Sequence, residues 1–425
     1  MNIFDQLLAD NQIPKFVRVR HEMDHSHIDD IEGAVAQAMR REGTLDRIKP
    51  GDSVCITAGS RDVANIARII RAICDQVKSV GAHPFIIPAM GSHAGAKAEG
   101  QRGIIEGYGV TEEAMGAPIR ASMDTEVIAH SKSGLEIHLD KFANAADFLI
   151  PVGRIKAHTD FRGEVESGIC KMLVIGMGKQ HGAYQCHKLG FKSMAANVKE
   201  FAGAIIEKKP NMFAIGLIEN AYHQTCRIEA IPAGRILAEE PPLLEYAKSR
   251  MAKVPFDQAD ILFVDETGKD ISGAGMDPNV TGRSPVLGIS HPFFQRIAVF
   301  DLTDKSHGNF GGLGSADVTT QRLYRKIDFE QTYPNGITAA EPLAVRLPAV
   351  MPSDRTAMQF ALRTATDCDW EKGPRIVWLK NTLSLSEFYI SEALIPDAEA
   401  LDNVTIVSEP MEVIFDEEGN VKELR

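Results

Sequence analysis

Residues 151–190 carry His158, His181 and His187 among the cations Arg154, Lys156, Arg162, Lys171, Lys179 and Lys188, with glycines interspersed. Imidazoles act as general acids and bases near neutral pH, and the neutral ring also ligates metals. A lysine becomes a nucleophile once desolvation lowers its proton affinity. Glycine lets backbone approach a bound group closely. Together these residue types suit a site for an anionic ligand or a metal. The stretch follows Asp147-Phe148-Leu149-Ile150, an apolar run that reads as a buried strand, so it begins at a strand's carboxyl end.

Each candidate has a plainer alternative. His93, in Met90-Gly91-Ser92-His93, and His158 each sit a few residues beyond an apolar strand. A single such histidine more often caps a loop, but two at equivalent places favour an acid–base pair. Lys171 interrupts the run Gly168-Ile169-Cys170-Lys171-Met172-Leu173-Val174. It is either a desolvated nucleophile or the ion-pair partner of Glu164 or Glu166, and the sequence weighs the two about equally. His181 and His187 are six apart, which is not the spacing of a helical zinc pair. His187 is a candidate for a single metal ligand, although most lone histidines are not ligands. Cys170 and Cys186 offer soft ligands, but buried small residues are commoner. Arg61 presents a fork for a carboxylate or phosphate; otherwise it is a surface residue in a first helical turn, where the helix dipole mildly disfavours a cation. The turn-rich loop 269–283 adds donors from a second domain, with Arg283 a further substrate-binding candidate; otherwise it is a connector.

The elements that must hold these groups follow from periodicity. Residues 1–50 read as an extended arm and then a helix capped at Asp29-Asp30. Ser53 to Thr57 form a strand. Val63, Ile66, Ile70, Ile73, Val77 and Val80 mark a helix, and residues 84–88 a second strand. This β-α-β unit implies a parallel sheet. It brings Gly59, Ser60, Arg61 and His93 to the carboxyl edge, where open α/β sheets bind ligands, with Ser60 as a helix cap. Residues 120–142 read as a strand pair turning at Ser133-Gly134, 193–208 as a helix and 212–218 as a strand. Glu239-Glu240-Pro241-Pro242 caps another helix. A boundary near Pro255 separates a second set of strands at 261–265, 297–302, 376–379 and 404–408, and a hairpin at 412–425. The expectation is α/β with two domains, 1–255 and 256–425. Each has a largely parallel or mixed sheet flanked by helices. The first carries the cofactor and catalytic residues, and the second closes over a cleft between them.

The 425 residues are 44% hydrophobic and 24% charged, ordinary for a globular protein, and length alone favours two domains. A net charge of −12 argues against nucleic acid or an anionic membrane as partner. The sequence has no apolar run of the roughly 18 residues a membrane span needs, and no secretory signal is recognised at the N-terminus. Six scattered cysteines read as free thiols of a reducing compartment, so a cytoplasmic location is expected. Homo-oligomerisation is left open.

On these residues the sequence resembles the nickel-dependent lactate racemases and their 2-hydroxyacid racemase and epimerase relatives. Ile87-Pro88-Ala89-Met90-Gly91-Ser92-His93 is similar to the segment bearing their first catalytic histidine. His158, with Lys171 thirteen residues on, is similar to the segment bearing the second histidine and the cofactor-attaching lysine. His187 falls where the family has its protein ligand to nickel, and Arg61 where it has a substrate-contacting arginine. Residues 272–279 resemble the loop that closes over the site. The resemblance implies a nickel-pincer nucleotide held covalently by Lys171 and ligated by His187. It also implies a small anionic 2-hydroxyacid anchored by Arg61, and racemisation or 2-epimerisation through a 2-keto acid with His93 and His158 exchanging the hydroxyl proton. Ala58 stands in place of a family acid, and Thr281, Gly282, Arg283 and Pro285 replace a tyrosine–glutamine pair and a lysine. The loop 161–166 is also less glycine-rich than in the family. These departures leave the hydroxyacid unspecified. Two other classes fit the same residues: a zinc hydrolase using His187 with nearby carboxylates, and a non-catalytic binder of organic or sugar acids.

Overall fold

Val54, Cys55 and Ile56 are fully enclosed in the strand Ser53–Ala58. A strand buried on both faces belongs inside a helix-covered parallel sheet. Ser53–Ala58 pairs in parallel with His83–Pro88 on one side and Phe148–Ile150 on the other. The connecting helix, Ile66–Ser79, buries Ile66, Ile69, Ile70, Ile73 and Val77 on one stripe. Each such side chain contributes about 1.5–3 kcal/mol when fully buried. The computed structural model describes residues 3–60, 63–284, 289–339 and 341–425.

A second sheet continues from the first. Val152–Arg154 runs parallel to Phe213–Glu219, which pairs antiparallel with Thr225–Pro232. The Val152 amide donates to Thr57 Oγ1 at 2.8 Å, and Leu149 bridges Met212, so the two sheets meet edge to edge. The expected strand pair is Thr125–His130 with Glu136–Asp140. All of this lies in one compact unit, Asp24–Met251.

Two local expectations are corrected. The helix after Ser60 starts only at Ile66, so Ser60 does not cap it and Val63 lies outside it. Residues 63–65 are held by strand ends instead: the Ala64 amide donates to Glu219 Oε1 at 2.8 Å, and Asn65, left-handed at φ 60°, donates to Thr225 Oγ1 at 3.1 Å. The helix expected to begin at Glu239-Glu240 spans Ile236–Arg250 and runs through Pro241 and Pro242. Glu240 is wholly buried within it because its carboxylate accepts the Cys170 amide at 2.8 Å.

The other unit comprises Met1–Met23 with Ala252–Arg425. Its sheet, eight-stranded among the described residues, runs in the order Ala349–Met351, Val318–Thr320, Phe293–Leu302, Gln258–Thr267, Ile376–Leu379, Glu387–Ser391, Phe16–His21, Val404–Ile406. The first five are parallel and the rest antiparallel, and helices such as Asp354–Thr364 pack against the sheet. The fold is thus α/β with parallel and mixed sheets. The sequence reading grouped residues 1–255, whereas Phe16–His21 is a strand of this second sheet. Its Phe16 is fully buried against Phe263 and Trp378. Among the described residues, no helix is long and apolar enough to cross a membrane.

Candidate active site

The chain leaves Val152–Arg154 into a loop closed by an antiparallel bridge between Lys156 and Ser167. Glu166, fully buried, organises the loop from within. Its carboxylate accepts the His158 amide at 2.7 Å and pairs with Arg162 at 3.3 Å and Lys248 at 3.0 Å. The backbone of His158 is thereby fixed. Its ring stacks on Phe161, centroids 4.3 Å apart. Nδ1 accepts the Asp160 amide at 2.9 Å, and Nε2 lies 2.6 Å from Lys171 Nζ. Burial, and then the positive charge of Lys171 whenever that amine is protonated, of Lys156 and of Arg162, hold this imidazole well below the ordinary histidine range.

Lys171 ends the short helical turn Ile169–Lys171, whose Cys170 amide is capped by Glu240. A π-helical turn, Met172–Gly176, follows; such turns recur at functional sites. Gly178 is required here, since a Cβ would stand 2.1 Å from the Val174 carbonyl oxygen. The helix Lys179–His187 comes next. Lys179 is fully buried with φ +53°; its amine donates to the Pro88 carbonyl and pairs with Asp140 at 3.2 Å. Burial lowers the lysine and raises the aspartate, and their attraction opposes both shifts. This pair ties the start of the helix to the carboxyl end of His83–Pro88. At the far end of the helix, His187 is held below the ordinary histidine range by burial, and further by Lys171 whenever that amine is protonated.

Glu164 pairs with Lys199, and Glu166 with Arg162 and Lys248, while the Lys171 amine lies against His158.

His93 approaches from the neighbouring strand ends. Gly91, left-handed at φ 62°, passes so close to Ile175 that a Cβ would lie 3.2 Å from its Cγ2, and a Cβ on Gly59 would lie 3.3 Å from Met172 Cε. The carboxyl ends of two strands therefore abut the segment that carries Lys171. His93 itself is exposed, with Nδ1 2.5 Å from Ser60 Oγ. Buried Gln101 holds the loop by donating to the carbonyls of Gly91 at 2.8 Å and His93 at 3.3 Å, and Tyr108 donates to the Ser60 carbonyl at 2.8 Å. The sequence reading missed Asp160 and Gln101, and it assigned Ser60 to a helix cap. Only Gln101 left a signal, as a polar residue on the same face as the buried Ile105.

Arg61 lies outside the described residues. Arg283 belongs to the other unit, where its guanidinium donates to Asp317 at 2.5 Å and to the carbonyls of Phe294 at 2.7 Å and Gln295 at 2.6 Å. His181 is exposed and stacks on His138 at 5.7 Å. Cys170 and Cys186 are buried, and burial raises both thiols. Among the described residues, no three His, Cys, Asp or Glu side chains are grouped so that they could hold a metal ion.

The fold and site thus define an α/β protein with a half-buried histidine–lysine pair beside the carboxyl edge of a parallel sheet. Residues 4–198 match the family model described as the lactate racemase N-terminal domain, so this part of the chain is similar to that domain. Among solved structures, the lactate racemase apoprotein from Thermoanaerobacterium thermosaccharolyticum shares the fold, with a TM-score of 0.53 at 16% identity over 86% of this chain and 93% of that one. A protein from Thermotoga maritima has a TM-score of 0.44 at 11% identity over 83% and 87% of the two chains. No curated protein matches.

Proposed function

We propose that the chain is an isomerase that racemises or 2-epimerises a small anionic 2-hydroxyacid with the help of a nickel-pincer nucleotide. The observation that carries this reading is the 2.6 Å approach of Lys171 Nζ to His158 Nε2, with neutral His187 in the same electrostatic neighbourhood. The residues fit the group: Lys171 is the amine that would hold it, and His187 is kept in the unprotonated form that ligates a metal. When bound, the nucleotide supplies an acceptor and donor for the substrate's α-hydrogen.

This chain's own residues would supply the rest. Inversion at a carbon bearing a hydroxyl needs proton acceptors serving two faces, and His93 and His158 are the pair available. Ser60 orients His93 through Nδ1. Arg61, between Ser53–Ala58 and Ile66–Ser79, is the proposed anchor for the substrate carboxylate.

A zinc hydrolase is less well supported, because its metal takes three protein ligands and no such group occurs among the described residues. The test is to load the protein with the cofactor, offer a panel of 2-hydroxyacids as single enantiomers, and follow chirality. Inversion of at least one acid supports the reading; tight binding without inversion supports a non-catalytic acid binder.

A further inference from the structure

His158 has its two ring nitrogens committed in a way that fixes a proton. The Asp160 amide can only donate, so Nδ1 is its acceptor and carries no hydrogen. The neutral ring then bears its one proton on Nε2, which points at Lys171 Nζ. An ammonium at Lys171 would set hydrogen against hydrogen, so the contact requires the lone pair of an amine. In this arrangement His158 is not a base toward anything at Nε2. To accept a substrate proton there, the ring must first carry its hydrogen on Nδ1. The Asp160 carboxylate, Oδ2 3.8 Å from Nδ1 and steadied by the Thr159 hydroxyl at 3.0 Å, is placed to receive that hydrogen.

We propose that Asp160 is the positioning residue of His158 and acts in two states. Its amide holds the Nε2–H tautomer that presents Lys171 as an amine for attachment. Its carboxylate takes over Nδ1–H once Lys171 is attached and His158 must exchange protons at Nε2. No atom is gained or lost in the switch; one proton moves from Nε2 to Nδ1, through solvent. The second state rests on the racemase reading, and the first does not. Among the described residues, charged groups that act on His158 include Lys156, Arg162, Lys171 and His187, all cations when protonated, and Glu166, which is already bound to the His158 amide. Asp160 is a carboxylate that faces Nδ1, at 3.8 Å.

The test uses the full-length apoprotein labelled with ¹⁵N-histidine, with His158→Gln to assign the ring. The expected spectrum at neutral pH has pyridine-like Nδ1 and pyrrole-like Nε2. The opposite tautomer would overturn the first state. In Asp160→Asn, checked for an unchanged fold by circular dichroism, the second protonation of His158 should move to lower pH, because the carboxylate that would accept Nδ1–H is gone. An unmoved titration would overturn the carboxylate's role, whether or not any substrate is ever turned over. In the loaded enzyme, Asp160→Asn should lower kcat by about tenfold or more with little change in KM, and Asp160→Glu should recover part of it. Wild-type kcat and pH profile in Asp160→Asn would also refute the proposal. If the wild type inverts no hydroxyacid, the racemase reading fails while the two spectroscopic arms still decide the inference.

Discussion

Lys171 Nζ and His158 Nε2 lie 2.6 Å apart, thirteen residues apart in sequence, on a helical turn and a loop that share no regular structure. Glu166 fixes one partner by its amide and Glu240 caps the turn that carries the other. Two buried carboxylates thus set the distance between the imidazole and the amine.

Covalent attachment should depend on Lys171 alone. After exposure to the cofactor, the wild-type protein should gain its mass, and Lys171→Ala should not. Intact-mass spectrometry decides this, and an equal adduct on the variant would remove Lys171 from the role.

The two histidines should fail differently from their supports. His93→Ala and His158→Ala should each abolish inversion while the adduct persists. Ser60→Ala leaves the His93 ring in place but unoriented, so kcat should fall by about tenfold, at the low end of general acid–base contributions. Steady-state kinetics on the loaded variants would show it; unchanged turnover in Ser60→Ala would mean that the 2.5 Å contact is incidental.

The Lys179–Asp140 pair should behave as a buried pair whose halves need each other. Lys179→Met leaves a carboxylate enclosed without its cation and should cost about 3–5 kcal/mol. Adding Asp140→Asn should recover part of that loss. Urea unfolding of both variants tests the claim, and a double variant no more stable than the single would contradict it.

Stability should fall in acid through His158. Burial depresses its folded pKa below the unfolded value of about 6.5. Between those two values the unfolded chain binds the extra proton, so the stabilising contribution is complete above about pH 6.5 and is lost as pH falls through the folded pKa. His158→Gln should flatten the thermal-denaturation midpoint between pH 7 and 5 relative to wild type. An unchanged slope would show that the ring is solvated.

Where side chains repeat with helix or strand period, the sequence was legible. The Ser53–Ala58, Ile66–Ser79, His83–Pro88 unit and the grouping of His158 with Lys171 follow from local pattern and from family resemblance. What was not legible depends on contacts distant in sequence. Ser60 reads as a cap because the residues that hold 63–65, Glu219 and Thr225, lie more than 150 positions away. Phe16–His21 looks like an arm because its sheet partners are Glu387–Ser391 and Val404–Ile406. Asp160 was invisible because its contribution begins with a backbone amide, which every residue but proline has.

The central claim is that a 2-hydroxyacid is inverted by removing and returning its own α-hydrogen. The most direct measurement supplies a hydroxyacid inverted by the loaded protein, labelled with deuterium at the α carbon, in ordinary water, and analyses the product of opposite configuration by mass spectrometry. Retention of deuterium in that product is predicted. Its replacement by hydrogen from water would mean proton abstraction from carbon, and would contradict the account.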